Sequence, residues 1–143
     1  PSSYISFPEN EMSECDFFVE ISNKSDCLIL LDINNIYVSA HNHDFNAQEY
    51  LNKIPKNRVQ QFHLAGHVNQ DKFLIDTHGA PIIDNVWELY KYSVKLFGMV
   101  STLIERDNNI PPLEEMMEEL DMARKIANEE SFSESVYLKK EKE

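Results

Sequence analysis

Three short apolar runs, "CLILL", "RVQQFHLAG" and "VSTLIE", are separated by segments with a helical period. No other feature constrains the fold as much, because strands separated by helices form βαβ units, and these build a parallel sheet with helices outside it. "CLILL" is continuous and bounded by "NKSD" and "NN", which predicts a strand buried on both faces and a free buried thiol at Cys27. Before it, "EMSECDFFVEISNK" carries Met12, Phe17, Phe18 and Ile21 near one face of an amphipathic helix. After a polar loop, Asn46 caps a short helix "AQEYLNKI" that Pro55 helps to end. A long irregular segment follows "RVQQFHLAG" and runs to Asp84, an N-cap for "NVWELYKYSVKLF", with Gly98 placed to close that helix. "IPPLEEMMEELDMARKIANEE" reads as a long helix with Leu113, Met116, Met117, Leu120, Ala123, Ile126 and Ala127 as its buried stripe. The expected organisation is one α/β domain over residues 1–130 and a polar, loosely held tail over 131–143.

Charge and composition then narrow the function. The 143 residues include 25 acidic and 13 basic side chains, a formal charge of −12 that repels phosphate backbones, so nucleic acid is not an expected partner. The longest uncharged apolar run falls far short of the ~20 residues of a membrane span, and a reducing cytoplasm is the expected compartment. Cys15 and Cys27 lack a Cys-x-x-Cys spacing. Serine nucleophile elbows, Gly-rich phosphate loops and His-Glu-x-x-His are absent from the sequence.

In parallel α/β folds ligands bind at the carboxyl ends of the strands. Those ends carry consistent chemistry here: Asp32, Asn34 and Asn35 after "LILL", His63 and His67 in "FHLAGH", and Glu105 and Asp107 in "TLIERD". Alternation along a strand groups Val59, Gln61, His63 and Ala65 on one side, with Gln60, Phe62 and Leu64 on the other. Phe62 and Leu64 suit the helix-covered side, so His63 faces the cleft, and the same count groups Glu105 with Leu103 and Ser101. Between them lies "FLIDTHGAP", in which an extended Asp76-Thr77-His78 would point both end residues the same way. Carboxylate with imidazole, and no cysteine ligand, suits Mn, Fe or Zn. Taken singly, each residue has a plainer role: a strand-end Asp caps a helix, His63 is a hydrogen-bonded core histidine, and Glu105 pairs with Arg106. His43, in the loop "SAHNHDF", and His67 are further candidates for a ligand or substrate contact.

The segments "PSSYISFPENEMSECDFF", "CLILLDINNIYVSAHNHDF", "RVQQFHLAGH", "LIDTHGAPIIDNVWELY" and "TLIERDNNIPPLEEMMEE" resemble, in order, the C-terminal half of the MbnB/TglH-like family of multinuclear non-haem iron oxidases. The resemblance implies the C-terminal part of a (β/α)8 TIM barrel, related to the xylose-isomerase-like metalloenzymes. It implies two or three irons in the intact site and use of O2 to modify cysteine residues of a ribosomally made peptide, with a partner protein presenting the substrate. The ligands it implies on this chain are Asp32, Asn35, His63, Asp76, His78 and Glu105. Where the family has Trp, this chain has Arg106. In the family a Glu-Asn pair, whose glutamate bridges metals, directly precedes the "SSY" motif, and members run to roughly twice this length with further histidine ligands on earlier strands. An isolated half-barrel is therefore expected to be inactive, and to pair with a complementary fragment, self-associate through its open edges, or fold poorly. Two other readings follow from the same residues: a Zn- or Mn-dependent hydrolase or isomerase, and a non-catalytic half-barrel acting as an assembly module.

Overall fold

The computed structural model describes residues 1–140, with side chains to residue 130. Parallel strands β1 (Ile29–Asp32), β2 (Val59–Ala65) and β5 (Ser101–Glu105) form one sheet in the order β1-β2-β5. Helices α2 (Ile33–His43) and α3 (Ala47–Lys53) connect β1 to β2, and α4 (Asp84–Phe97) leads to β5; α1 (Glu14–Ser25) precedes the sheet and α5 (Leu113–Lys140) follows it. Parallel strands alternating with helices are the architecture of a segment of a TIM-type barrel.

The strand register sorts side chains as the alternation predicts. Leu31 pairs with Phe62 and Leu64 with Ile104 on the outer face, where Phe62 meets Tyr90 edge-on at 5.7 Å between ring centroids. Phe62 and Leu64 are fully buried, each contributing about 1.5–3 kcal/mol by leaving water. Leu30, Gln61, Ser101 and Leu103 lie on the other face, and there Leu30 is 50% and Leu103 45% exposed. So β1 is not buried on both faces: the helices of this chain cover only the outer one.

Several expectations need correction. The loop expected after β1 is helix α2, whose Asn34, Asn35 and Ser39 are buried yet all hydrogen-bonded. Polar residues that read as a loop are in fact committed to partners across the fold. The irregular stretch after β2 holds a hairpin, β3 (Val68–Gln70) antiparallel to β4 (Phe73–Ile75). In α1, Met12, Phe17 and Ile21 stay exposed, while Cys15 and Ser22 are buried and Phe18 and Val19 pack on the core; Ser22 tolerates burial because its hydroxyl donates to the Cys27 carbonyl. The buried thiol is thus Cys15, and Cys27, ahead of β1, is exposed. Helix α4 is capped by Ile83, one residue before Asp84, which sits in the first turn and favours the positive end of the helix dipole. Along α5, Ala123 is buried and Ile126 and Ala127 pack on the core, but Leu113 and Met117 are exposed. Helix α5 carries on to Lys140, and residues 141–143 lie outside the described residues.

Candidate metal centre

At the carboxyl ends of the strands, Asp32 stands opposite His63 and Glu105 opposite Ala65, two residues beyond His63. Asp32 has two tasks. Its Oδ1 caps α2 by accepting the Asn35 N–H at 2.8 Å, and its Oδ2 lies 2.6 Å from His63 Nδ1. The plain helix-cap reading of Asp32 is therefore true of one oxygen only. Glu105 Oε2 lies 2.8 Å from the other ring nitrogen of His63, so the imidazole sits between two carboxylates. The hydrogen bond that His63 donates to Asp32 raises its pKa most; burial opposes it, and the charge of Asp32 and the hydrogen bond and charge of Glu105 add to the rise.

The second half of the cluster is carried by the loop after β4. Gly66 follows β2, and a Cβ there would collide with the Ala80 carbonyl oxygen, so only glycine lets residues 78–81 close on the strand. The Gly66 carbonyl in turn accepts the His78 N–H at 3.1 Å, and the His78 carbonyl accepts the Asp107 N–H at 2.9 Å. His78 has a left-handed backbone, φ 50°, so Asp76-Thr77-His78 is not extended as the sequence suggested. The two side chains still converge, with His78 Nε2 3.1 Å from Asp76 Oδ1. On its other side, His78 Nδ1 lies 3.2 Å from both Glu105 Oε2 and Asp107 Oδ2. Neither approach has hydrogen-bond geometry, which leaves a buried ring nitrogen without a hydrogen-bond partner. Distance alone makes these ion pairs; direction says that three donor atoms aim at a common space.

Two groups of donors meet at His78: Asp32, His63 and His78, and His78, Glu105 and Asp107, with the atoms of each group within 4.8 Å of one another. Four carboxylates, Asp32, Asp76, Glu105 and Asp107, thus share two imidazoles, and among the described residues no Lys or Arg forms an ion pair with them. Arg106, the nearest cation in sequence, turns away and pairs with Glu119 of α5 at 3.0 Å, with Glu119 also accepting the Ile82 N–H. The Glu105–Arg106 pairing allowed by the sequence does not occur. Carboxylate excess, an orphaned imidazole nitrogen and an all-oxygen-and-nitrogen donor set fit a bound cation of the Mn, Fe or Zn kind.

The remaining candidates fall behind or beside this cluster. Asn35 donates its amide to Asp76 Oδ2 at 2.5 Å. His67 is buried, its Nδ1 faces Asn34 Oδ1 at 2.8 Å, and it is in neither donor group. His43, in the last turn of α2, lines a cavity of about 560 Å³ with Cys15, Phe45 and Tyr50, and is in neither donor group. In the sequence Asn34 and Asp107 stand out only as strand-end residues, and the position of Asp107 two after Glu105 is the available signal.

The family model for RiPP precursor modification enzyme MbnB/TglH/ChrH matches residues 1–128. A UPF0276 protein of Caulobacter vibrioides is 51% identical over 124 residues, covering 87% of this chain and 44% of the relative. A UPF0276 protein of Rhizorhabdus wittichii is 50% identical over 128 residues (90% and 46%), and one of Anaeromyxobacter sp. is 46% identical over 125 residues (87% and 44%). The chain therefore spans less than half the length of these relatives. Its strand order, its carboxylate and imidazole cluster and these matches agree: the chain belongs to the MbnB/TglH/ChrH family of RiPP precursor modification enzymes.

Proposed function

We propose that this chain forms the carboxyl-terminal part of a multinuclear non-haem iron oxidase that uses O2 to modify cysteine residues of a ribosomally made peptide. The observation that carries the reading is that two donor groups meet at His78, which together supply enough carboxylates and imidazoles for neighbouring ions. Asp32, His63, Asp76, His78, Glu105 and Asp107 would hold the metal, and Asn35, with its NH2 on Asp76, would offer its amide oxygen. Iron bound there would supply Lewis-acid binding of a substrate thiolate and the electrons that O2 reduction needs. The chain's own residues do the positioning. Asp32 holds His63 by Nδ1, fixing the ring so that Nε2 faces the cluster, and the Gly66 carbonyl and the Asp107 N–H fix His78 from either side.

The open inner face, with Leu30 and Leu103 exposed, calls for cover by the remaining strands of a barrel, and we propose that a substrate-presenting protein docks on that completed barrel. The exposed face also favours a second reading, a half-barrel that serves only in assembly. Among the described residues no helix is long and apolar enough to cross a membrane.

Metal analysis of the whole protein purified without oxygen tests the proposal. Two or more irons per chain and O2-dependent turnover of a cysteine-containing peptide are expected. Tightly bound zinc without iron, with activity indifferent to O2, would replace the oxidase by a hydrolase or isomerase; metal binding and turnover by residues 1–143 alone would remove the assembly reading.

A further inference from the structure

We propose that Asn34 and His67 form a positioning relay that sets the Asp76 carboxylate toward the metal centre, and that neither is a ligand. The inference rests on the reading of Asp76 as part of that centre. Asn34 is fully buried at the start of α2, and its Nδ2 donates to Asp76 Oδ1 at 2.7 Å. A carboxylate only accepts, so the amide must present its NH2 group there, and Asn34 Oδ1 must face His67. His67 Nδ1, 2.8 Å from that oxygen, must then carry a proton and donate. Burial favours the neutral ring, which leaves the lone pair on Nε2. The ring is held by Tyr37, whose centroid lies 5.3 Å away and whose hydroxyl accepts from Asn85 of α4.

The chain His67, Asn34, Asp76 thus runs in one donor direction and ends on a carboxylate oxygen. Asn35 adds a second amide on the other oxygen. The backbone beside Asp76 is pinned as well: Asn42, two turns along α2, both donates to and accepts from Leu74, and Tyr4 accepts the Asp76 N–H. With both oxygens held, Asp76 has one orientation, with Oδ1 also 3.1 Å from His78 Nε2. Orientation of a metal-site carboxylate by buried donors of this kind is worth roughly 10–100-fold in metal affinity.

The test compares variants of the whole protein by competitive titration with Fe(II) under argon and by thermal melting in chelator. Asp76→Asn should lose the metal. Asn34→Ala should weaken binding roughly 10–100-fold, and His67→Ala should weaken it less. His67→Asn, which keeps a donor where Nδ1 stood, should recover affinity over His67→Ala, whereas a purely packing role would give the polar variant no advantage. If Asp76→Asn binds as the parent does, the reading of Asp76 is wrong and the relay falls with it. If Asp76→Asn loses metal while Asn34→Ala keeps parental affinity, only the relay is overturned. Should Asn34→Ala not fold, the His67 pair decides: parental affinity in His67→Ala, or no recovery in His67→Asn, overturns it. A loss in His67→Ala as deep as in Asp76→Asn would make His67 a ligand and overturn it equally.

Discussion

The two faces of the β1-β2-β5 sheet are made by alternate residues of the same strands, yet they end in different states. Outward, Ile29, Leu31, Phe62 and Leu64 are buried under α1, α3, α4 and α5; inward, Leu30 and Leu103 stand half exposed beside Gln61 and Ser101. A parallel sheet normally has both faces covered. The difference teaches that this chain carries all the packing for one face and only half of it for the other. The candidate metal centre grows from that unfinished face, because Asp32, His63 and Glu105 are the inward residues at its carboxyl end. Stability and chemistry are therefore separable here by face.

Substitutions on the two faces can break that contrast. Phe62→Ala should destabilise the chain by about 3–5 kcal/mol in urea unfolding. Leu103→Ala should cost under about 0.5 kcal/mol in residues 1–143 but about 2–5 kcal/mol in the whole protein, whose further strands should fill the inner face. Equal costs for Leu103→Ala in the two contexts would mean that nothing packs on that face. Gly66→Ala comes next: with the Ala80 carbonyl in its way, the new methyl should push residues 78–81 off β2 and abolish metal binding, measured by metal content, at a cost in stability of roughly 1–3 kcal/mol.

The cysteines repeat the contrast on a smaller scale. Cys15, under the helical layer, has its thiol pushed from an ordinary 9.0 up to about 11, chiefly by burial, while Cys27 is exposed. A thiol reagent at pH 8 should modify one cysteine in the folded chain and two in urea. Because the folded pKa is raised, the unfolded chain holds fewer protons between the two values, so Cys15's contribution is full below pH 9.0 and is lost as pH rises to about 11. Urea midpoints across that range should fall more steeply for the parent than for Cys15→Ala.

Much of this was legible in the sequence, and the reason is periodicity. Alternation along β2 alone assigns Phe62 and Leu64 to the core and His63 to the cleft, and the strand-end rule then selects Asp32 and Glu105. What could not be read was anything that depends on long-range partners. Helix α2 reads as a loop because Asn34, Asn35 and Asn42 are polar, and only the fold reveals that their amides are spent on Asp76 and Leu74. The face of α1 was misjudged because Ser22 looks exposed until its bond to the Cys27 carbonyl is known. Arg106, standing where the resembled family has Trp, is accommodated by Glu119, thirteen residues on, through a pairing that spacing does not announce.

The sharing of His78 between two donor groups is the central claim, and metal content per chain in the whole protein tests it most directly. Purified without oxygen, the parent should hold at least two irons per chain. His78→Ala should lower the occupancy of both ions together, whereas Asp107→Ala should lower that of one. A parent with a single ion, or a His78→Ala variant that loses one and keeps the other at full occupancy, would contradict the account.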